Sequence, residues 1–150
     1  MGKLAYVGID VDDRAYHIGV VDGKGEIVSE FSTSPVPGKL AATLKKRLAG
    51  YDLKTCYEAS YTGFTLHRAL TEKGIDCSVI VPTSIPRSAN ERVKNDRIDA
   101  AKLAFLLSKD SPAVVAVPTT KQEADRSIVR SRARIIQQRS DLKRHILSLC

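Results

Sequence analysis

Three short segments of strand-like sequence follow one another at the N-terminus with only turn residues between them. Residues 4–9 form an apolar run that is typical of a buried strand, and residues 16–21 form a second one. Residues 22–25, Asp-Gly-Lys-Gly, are typical of a hairpin turn, and residues 26–31 alternate as a third strand. Because these connections are too short for a crossover helix, the sequence predicts an antiparallel meander.

The pattern then changes to alternating helices and strands. The predicted elements are a helix with Leu40, Leu44 and Leu48 on one face, a strand over residues 54–59, a helix opened by Thr62, a strand over residues 77–81 and a helix from Asp96 to about Lys109. A meander followed by two crossover units matches the RNase H-like topology. We therefore expect an α/β fold, a mixed five-stranded sheet with flanking helices, in which the first strand lies beside the fourth.

The last thirty residues predict a long helix that Thr120 caps. Ile128, Ile135, Leu142 and Leu149 recur every seven residues, as at the start of a coiled coil. We expect residues 1–112 to form the α/β domain and residues 113–150 to form a connector, with a short strand over residues 113–117, and an oligomerisation helix. A stripe that runs to the last residue indicates part of a longer protein.

The charge of the chain is concentrated in this final segment. Residues 121–150 contain eight Lys or Arg and three acids, a net charge of +5 out of a total of +7. Such a segment favours a polyanionic partner such as nucleic acid, with Arg126, Arg130 and Arg134 as candidate contacts. A solvated helix face is an equally good explanation of the charge alone.

Cysteine usage and hydropathy exclude several classes of protein. The three cysteines are widely spaced and contain no Cys-x-x-Cys motif, so we expect neither a disulfide framework nor a zinc site, and a reducing, cytoplasmic location. No apolar run approaches the length of a membrane span, and the N-terminus does not resemble a secretory signal, so no membrane partner is expected.

Four acids occupy positions where a carboxylate is costly. Asp10 ends the first apolar run, Glu58 lies in a segment suited to burial, and Asp96 and Asp99 share the first turn of a helix. The face that carries Asp96 and Asp99 continues into four apolar residues expected to pack on the sheet, namely Ala100, Leu103, Leu106 and Leu107. If the first and fourth strands are neighbours, all four acids meet. All-oxygen ligands favour Mg²⁺ or Mn²⁺, and paired ions of this kind support phosphoryl transfer.

Each acid also has an ordinary structural explanation. Asp10 is consistent with a turn former beside Asp12 and Asp13, and Glu58 with an edge position or a pair with Lys54. Asp96 and Asp99 are consistent with a helix cap. Only the combination of the four, in this order, favours a metal site.

A basic connection precedes the helix that carries the last two acids. Arg87, Arg92, Lys94 and Arg97 are candidate contacts that would guide a phosphate backbone to the metal. A solvated loop explains them equally well.

Three segments resemble the transposases of the insertion-sequence-110 family. They are residues 7–11 (VGIDV), residues 57–60 (YEAS) and, most specifically, residues 94–100 (KNDRIDA), which match the family's K-[TN]-D-R-x-D-A block. The resemblance implies a RuvC-like domain with a DEDD metal site at Asp10, Glu58, Asp96 and Asp99. It also implies DNA and a structured bridge RNA as partners, a homo-oligomer formed through a coiled coil, and a downstream serine-bearing domain that these residues lack.

Three other functions remain compatible with the sequence. A RuvC-type resolvase would use the same four acids. In a nucleic-acid-binding and dimerisation module, the four acids would have a structural role only. A phosphate loop of the sugar-kinase type is disfavoured, because Asp12 and Asp13 stand where such loops place residues that approach phosphate closely.

Overall fold

The five strands predicted for the mixed sheet are all present, and in the described part of the chain they form one sheet. The computed structural model describes residues 3–60, 62–85 and 96–149, with the side chains of residues 96–99 excepted. The strands are β1 (Lys3–Val11), β2 (Tyr16–Asp22), β3 (Ile27–Thr33), β4 (Tyr51–Glu58) and β5 (Asp76–Ile80). Their order is β3-β2-β1-β4-β5, so β1 is central and β4 is its neighbour, as predicted.

The direction of the strands follows from the connections between them. β1 pairs with β2, and β2 with β3, in antiparallel fashion, whereas β1 with β4 and β4 with β5 are parallel. In the hairpin between β2 and β3, Asp22 Oδ1 accepts hydrogen bonds from the backbone N–H groups of Glu26 at 3.0 Å and Lys24 at 2.9 Å. The Glu26 N–H is the main reason why the pKa of Asp22 lies below its usual range.

Three helices of the α/β domain lie on the two faces of the sheet: α1 (Pro37–Arg47), α2 (Thr65–Glu72) and α3 (Asp96–Ser108). A short 3-10 helix covers Pro82–Ser84, and a fourth helix, α4 (Thr120–Ser148), follows later in the chain. Tyr57, fully buried on β4, donates its hydroxyl hydrogen to the carbonyl of Gly63 ahead of α2, and Arg47 of α1 stacks on Phe31 of β3. These contacts place α1 and α2 on the face opposite to that of α3.

Residues 113–117 do not form the extra strand that their apolar sequence predicts. The segment makes one isolated bridge, Ile80 with Val114, and two backbone hydrogen bonds to the outer side of β5. Prolines at positions 112 and 118 bracket the segment, and a proline has no N–H with which to extend a ladder. The segment therefore covers the edge of β5 without becoming a strand.

The chain divides into two compact units, Met1–Ala116 and Val117–Cys150. The second unit contains α4, which is 29 residues long. Thr119, rather than the predicted Thr120, caps it: the Thr119 hydroxyl accepts from the N–H of Gln122, and the Gln122 side chain accepts from the N–H of Thr119. Among the described residues, no helix is both long enough and apolar enough to span a membrane.

Candidate metal centre

Asp10 lies at the carboxyl end of β1 on the side of the sheet that α3 covers. Successive side chains of a strand point to opposite faces, so Asp10 shares its face with Gly8, two residues earlier. Gly8 packs directly against α3, as described below. Asp10 is half-buried. The adjacent turn is made by Asp12 instead, whose Oδ1 accepts from the N–H of Arg14 at 2.8 Å.

Glu58 is the last residue of β4 and lies on the same face. Gly8 pairs with Cys56, and Ile9 with Tyr57, so the next position along the two parallel strands sets Asp10 beside Glu58. Cys56 identifies the face, because its thiol donates to the carbonyl of Leu103 on α3 over 3.6 Å. The structure thus brings two of the four predicted acids to neighbouring positions at one end of the sheet.

The ordinary explanations offered for Glu58 do not hold. β4 is flanked by β1 and β5, so Glu58 is not on an edge strand. Lys54 lies four residues away along the same strand, a separation of about 13 Å, and the described side chains of Lys54 and Glu58 form no ion pair.

Helix α3 rests on a row of three small residues that crosses the centre of the sheet. This helix-contact row consists of Gly19, Gly8 and Cys56, which are successive partners across β2, β1 and β4. A Cβ atom added at Gly8 would overlap the carbonyl oxygen of Ala100 and lie 2.6 Å from the Ala104 nitrogen. One added at Gly19 would lie 2.5 Å from the Ala101 nitrogen. The absence of side chains at both glycines therefore lets the helix backbone approach the sheet.

The direction of α3 follows from its C-terminal contacts. Phe105 lies against Gly25, and Lys109 Nζ donates to the carbonyl of Lys24, both in the hairpin beyond the amino end of β1. The N-terminal turn of α3 consequently lies toward the carboxyl ends of β1 and β4. Of the apolar residues predicted to face the sheet, Ala100, Leu103 and Leu107 are buried, but Leu106 is only half-buried and Ala104 takes its place.

Asp96 and Asp99 belong to that N-terminal turn. From Ala100 back to Asp96 the helix rises about 6 Å. From Gly8 forward to Asp10 the strand advances about 6.6 Å. The backbone therefore brings the first turn of α3 level with Asp10 and Glu58, while the side chains of Asp96 and Asp99 lie outside the described residues. Among the described side chains, no group of three or more His, Cys, Asp or Glu has an arrangement that could hold a metal ion.

The predicted basic contacts fall in two places. Residues Arg87, Arg92 and Lys94 lie outside the described part of the chain, as does the side chain of Arg97. Arg126, Arg130 and Arg134 are exposed on α4. At 100° per residue these three fall within about 80° of one another around the helix, so they share one face.

Cys56 and Cys77, the two cysteines in the described part of the chain, do not form a soft-ligand metal site. Burial raises the pKa of Cys56 far above its usual range, and raises that of Cys77 to about 11. Cys77 pairs with Thr55, the neighbour of Cys56 on β4, so the two thiols lie on opposite faces of the sheet. These two side chains therefore do not meet at one site.

The sequence prediction missed a polar pair beside Asp10. His17 on β2 is the cross-strand partner of Asp10, and Ser32 on β3 is the partner of His17. The His17 Nδ1 and Ser32 Oγ atoms are 2.9 Å apart. This pair can be found only when the pairing register of β1, β2 and β3 is known, because His17 lies in an otherwise apolar strand and has no motif around it.

The family model DEDD_Tnp_IS110, described as a transposase, matches residues 7–149. The chain belongs to the IS110 family of DEDD transposases. It is 34% identical over 138 residues to "Putative transposase y4qE" of Sinorhizobium fredii, covering 90% of this chain and 35% of that protein. It is 32% identical over 135 residues to the transposase for insertion sequence element IS1533 of Leptospira borgpetersenii, covering 88% of this chain and 39% of that protein. The chain thus spans little more than a third of the length of these transposases.

A solved structure supports the fold of this transposase segment. T. thermophilus RuvC, in complex with a Holliday junction substrate, aligns with a TM-score of 0.51 at 11% sequence identity. The alignment covers 75% of this chain and 99% of the RuvC chain. Together with the strand order, this match shows the RuvC-like, RNase H-like fold that the sequence predicts.

Proposed function

We propose that this chain is the metal-dependent nuclease domain of an insertion-sequence transposase, which cleaves and transfers DNA strands. One observation carries the proposal: Asp10 and Glu58 lie side by side at the carboxyl ends of β1 and β4, on the face where the first turn of α3 begins. β1, β4 and α3 are distant in sequence, but each has an acidic residue at the same end of the same face of the sheet.

The residues in this arrangement fit a hard divalent cation. Asp10 and Glu58 offer only carboxylate oxygens, which are the ligands that Mg²⁺ and Mn²⁺ prefer. Asp96 and Asp99, in the first turn of α3, would complete the set. Bound ions of this kind activate a water or hydroxyl nucleophile and stabilise the charge that develops on phosphate oxygens. The four acids would hold the ions, and the contact of α3 with the two glycines fixes the distance between the helix backbone and the sheet.

The basic residues provide the surface for the nucleic acid. Phosphate contacts by Lys and Arg supply most of the sequence-independent affinity for DNA or RNA. We assign this role to two groups of residues: Arg87, Arg92, Lys94 and Arg97, which are close in sequence to Asp96, and Arg126, Arg130 and Arg134 on α4. In the complete transposase, DNA and a structured guide RNA would share these surfaces, and a downstream serine-bearing domain would complete recombination.

The exposed apolar stripe of α4 favours a homo-oligomer. Ile128, Ile135 and Leu142 are 69%, 64% and 63% exposed, and their seven-residue spacing is that of a coiled-coil seam. Around the helix this stripe lies about 140° from Arg130. One face can therefore pack on a second copy of the helix while the other binds phosphate.

Metal-dependent thermal stabilisation tests the proposal. Millimolar Mn²⁺ should raise the melting temperature of the chain, and Asp10→Asn or Glu58→Gln should abolish the shift because each removes a ligand charge. Asp52→Asn is the matched control: Asp52 is exposed near the amino end of β4, at the opposite end of the strand from Glu58. The same shift in all four proteins, or none in the unaltered chain, would exclude the metal centre.

A resolvase is the second candidate, and the RuvC-like fold is the observation that favours it. A resolvase would cut a four-way DNA junction in Mn²⁺ as this chain alone. The transposase domain should bind such DNA without that cleavage, so gel analysis of the products separates the two functions.

A further inference from the structure

Helix α1 concentrates positive charge on the face of the sheet opposite to the candidate metal centre. Residues 34–50, which contain α1, have four Lys or Arg and no acid. Residues 62–75, which contain α2, add two bases and one acid, so the two segments together carry +5. Residues 1–120 as a whole carry only +2, so the remainder of them carries −3. The helix layer remote from the acids is thus the basic part of an otherwise slightly acidic segment.

The buried side of α1 fixes the direction in which this charge points. Leu40, Ala41 and Leu44 are buried and lie on one side of the helix. At 100° per residue, Lys39 and Lys46 fall within about 20° of each other on the opposite side, about 10 Å apart along the axis. Both are exposed. We call the four exposed bases of the helix the α1 basic surface, namely Lys39, Lys45, Lys46 and Arg47.

The stability of the helix explains only part of this charge. Lys45, Lys46 and Arg47 lie in the last turn of α1, where cations interact favourably with the helix dipole. Lys39 lies in the first turn, where a cation is unfavourable, and no acid accompanies it there. Within the described part of the chain, the ammonium groups of Lys39 and Lys46 form neither a hydrogen bond nor an ion pair. Lys39 therefore favours a function in binding an external anion.

The α1 basic surface fits the phosphate backbone of a double helix. Lys and Arg contact phosphates without regard to base sequence. Between Lys39 and Lys46 the same side of α1 carries Ala42 and Thr43, whose small side chains let the helix approach a backbone closely. Single strands are commonly held by aromatic rings that stack on the bases, and residues 37–47 contain no aromatic residue. Contacts to the backbone of a duplex are therefore the better match.

A duplex on this surface is not the DNA that lies at the metal centre. The metal centre lies on the α3 face of the sheet and α1 on the other, so one continuous duplex would have to reverse its direction around the domain. The persistence length of DNA is about 150 base pairs, far longer than such a path. Strand transfer joins two DNA segments, and the α1 basic surface is placed to hold the one that is not being cut.

We propose that the α1 basic surface binds the second DNA duplex that takes part in strand transfer. The inference rests on the proposed function and adds to it a DNA-binding surface on the opposite face of the sheet from Asp10 and Glu58. Binding there is independent of sequence and of metal, because it depends on phosphates and lysines alone.

Acetylation of lysines tests the contact directly. An N-hydroxysuccinimide ester of acetic acid modifies exposed amino groups, and mass spectrometry measures each lysine separately. The probe is a duplex of about 12 base pairs, only about 40 Å long and too short to serve both faces of the sheet at once. At a DNA concentration of about twice the Kd, in EDTA, modification of Lys39 and Lys46 should slow about threefold. Lys24, exposed in the β2–β3 hairpin, should react at an unchanged rate.

Two outcomes of the acetylation experiment would overturn the proposal. The first is equal protection of Lys24, Lys39 and Lys46, or protection of none of them. The second is protection of Lys39 and Lys46 by an RNA hairpin of equal length that is at least about threefold stronger than protection by the DNA, because the surface would then belong to RNA.

Two variants with the same loss of charge separate a local contact from an effect of net charge. They are Lys39→Gln/Lys46→Gln and, as the control, Lys24→Gln/Lys109→Gln, whose residues meet at the hairpin end of α3. Fluorescence anisotropy follows binding of a labelled duplex of about 30 base pairs in EDTA over a range of salt concentrations. In the α1 variant the slope of log Kd against log salt should fall by about 2. The control should keep the slope of the unaltered chain, and an equal change in both variants would contradict the contact.

Mn²⁺-dependent stabilisation without DNA distinguishes failure of this inference from failure of the proposed function. Lys39→Gln/Lys46→Gln should keep the full rise in melting temperature, because both residues lie on the face away from the acids. If this variant keeps both that rise and the salt slope of the unaltered chain, the second DNA surface is excluded while the metal centre stands. If it loses the rise, the lysines support the metal centre instead and the proposal is overturned. If the unaltered chain shows no rise, the proposed metal centre fails, and the metal-free acetylation experiment still decides whether α1 binds DNA.

Discussion

Gly8 of β1 and Gly19 of β2 are cross-strand partners, and the backbone of α3 lies where either would carry a Cβ atom. The neighbours that such an atom would meet are mostly backbone atoms of residues 100–104, which cannot rotate away as a flexible side chain can. Asp10 lies two residues beyond Gly8 on the same face. The height of α3 above the sheet and the position of the candidate metal centre therefore depend on the same two glycines.

Gly8→Ala should destabilise the fold strongly. The added methyl group overlaps the Ala100 carbonyl oxygen and must push α3 away from the sheet, at a cost of about 3 kcal/mol or more. Gly23→Ala is the control, because a Cβ atom there meets nothing within 4 Å, and its effect should stay within about 1 kcal/mol. Urea denaturation monitored by circular dichroism gives both free energies of unfolding. Equal, small changes in the two variants would contradict the close approach of α3.

The buried thiols should make stability fall in alkaline solution. Burial raises the pKa of Cys77 from 9.0 to about 11, so the folded chain retains a proton that the unfolded chain loses. The protonated Cys77 thiol contributes fully to the free energy of unfolding below about pH 9. This contribution disappears as the pH rises through 11, which is a loss of about 3 kcal/mol. Tyr16, whose pKa burial also raises, acts in the same direction.

The Cys77→Ala variant isolates this effect. Its free energy of unfolding, measured in urea from pH 7 to pH 11, should fall less steeply with pH than that of the unaltered chain. Parallel curves for the two proteins would mean that Cys77 titrates normally in the folded state.

The α4 stripe should govern self-association. Ile135→Lys places a charge in the seam that Ile128 and Leu142 flank, so the oligomer should weaken by about tenfold or more. Arg130→Ala lies on the other side of the helix and should leave self-association intact. Sedimentation velocity over a range of protein concentrations compares the two variants. If the unaltered chain is monomeric at all concentrations, the apolar stripe of α4 does not mediate self-association.

Much of the fold is predictable because the local signals agree with one another. The short turn after Asp22 forces β2 and β3 to be antiparallel, and the lengths of the later connections require crossovers. The match of this element order to the RNase H-like topology then predicts β1 beside β4, which brings Asp10 to Glu58, and the strand order agrees. Asp96 and Asp99 are placed in the site by their three-residue spacing and by the apolar helix face that follows them, and the family resemblance implies the same assignment; their side chains lie outside the described residues.

The features that sequence reasoning missed depend on tertiary contacts. Gly8 and Gly19 look like ordinary strand residues until α3 is seen to rest on them. Thr119 and Thr120 are equivalent caps by composition, and the choice between them depends on backbone geometry. The pairing of His17 with Ser32 beside Asp10 depends on the strand register, which no local pattern reports.

The parallel pairing of β1 with β4 has a consequence for how the protein acquires its function. Asp10 and Glu58 are separated by the whole β2–β3 hairpin and α1, so their meeting requires a long chain closure, and α3 must then dock from still farther along. A nascent or partly folded chain therefore does not yet bring Asp10 and Glu58 together. The proposed metal centre would consequently form only when folding of the first unit is complete.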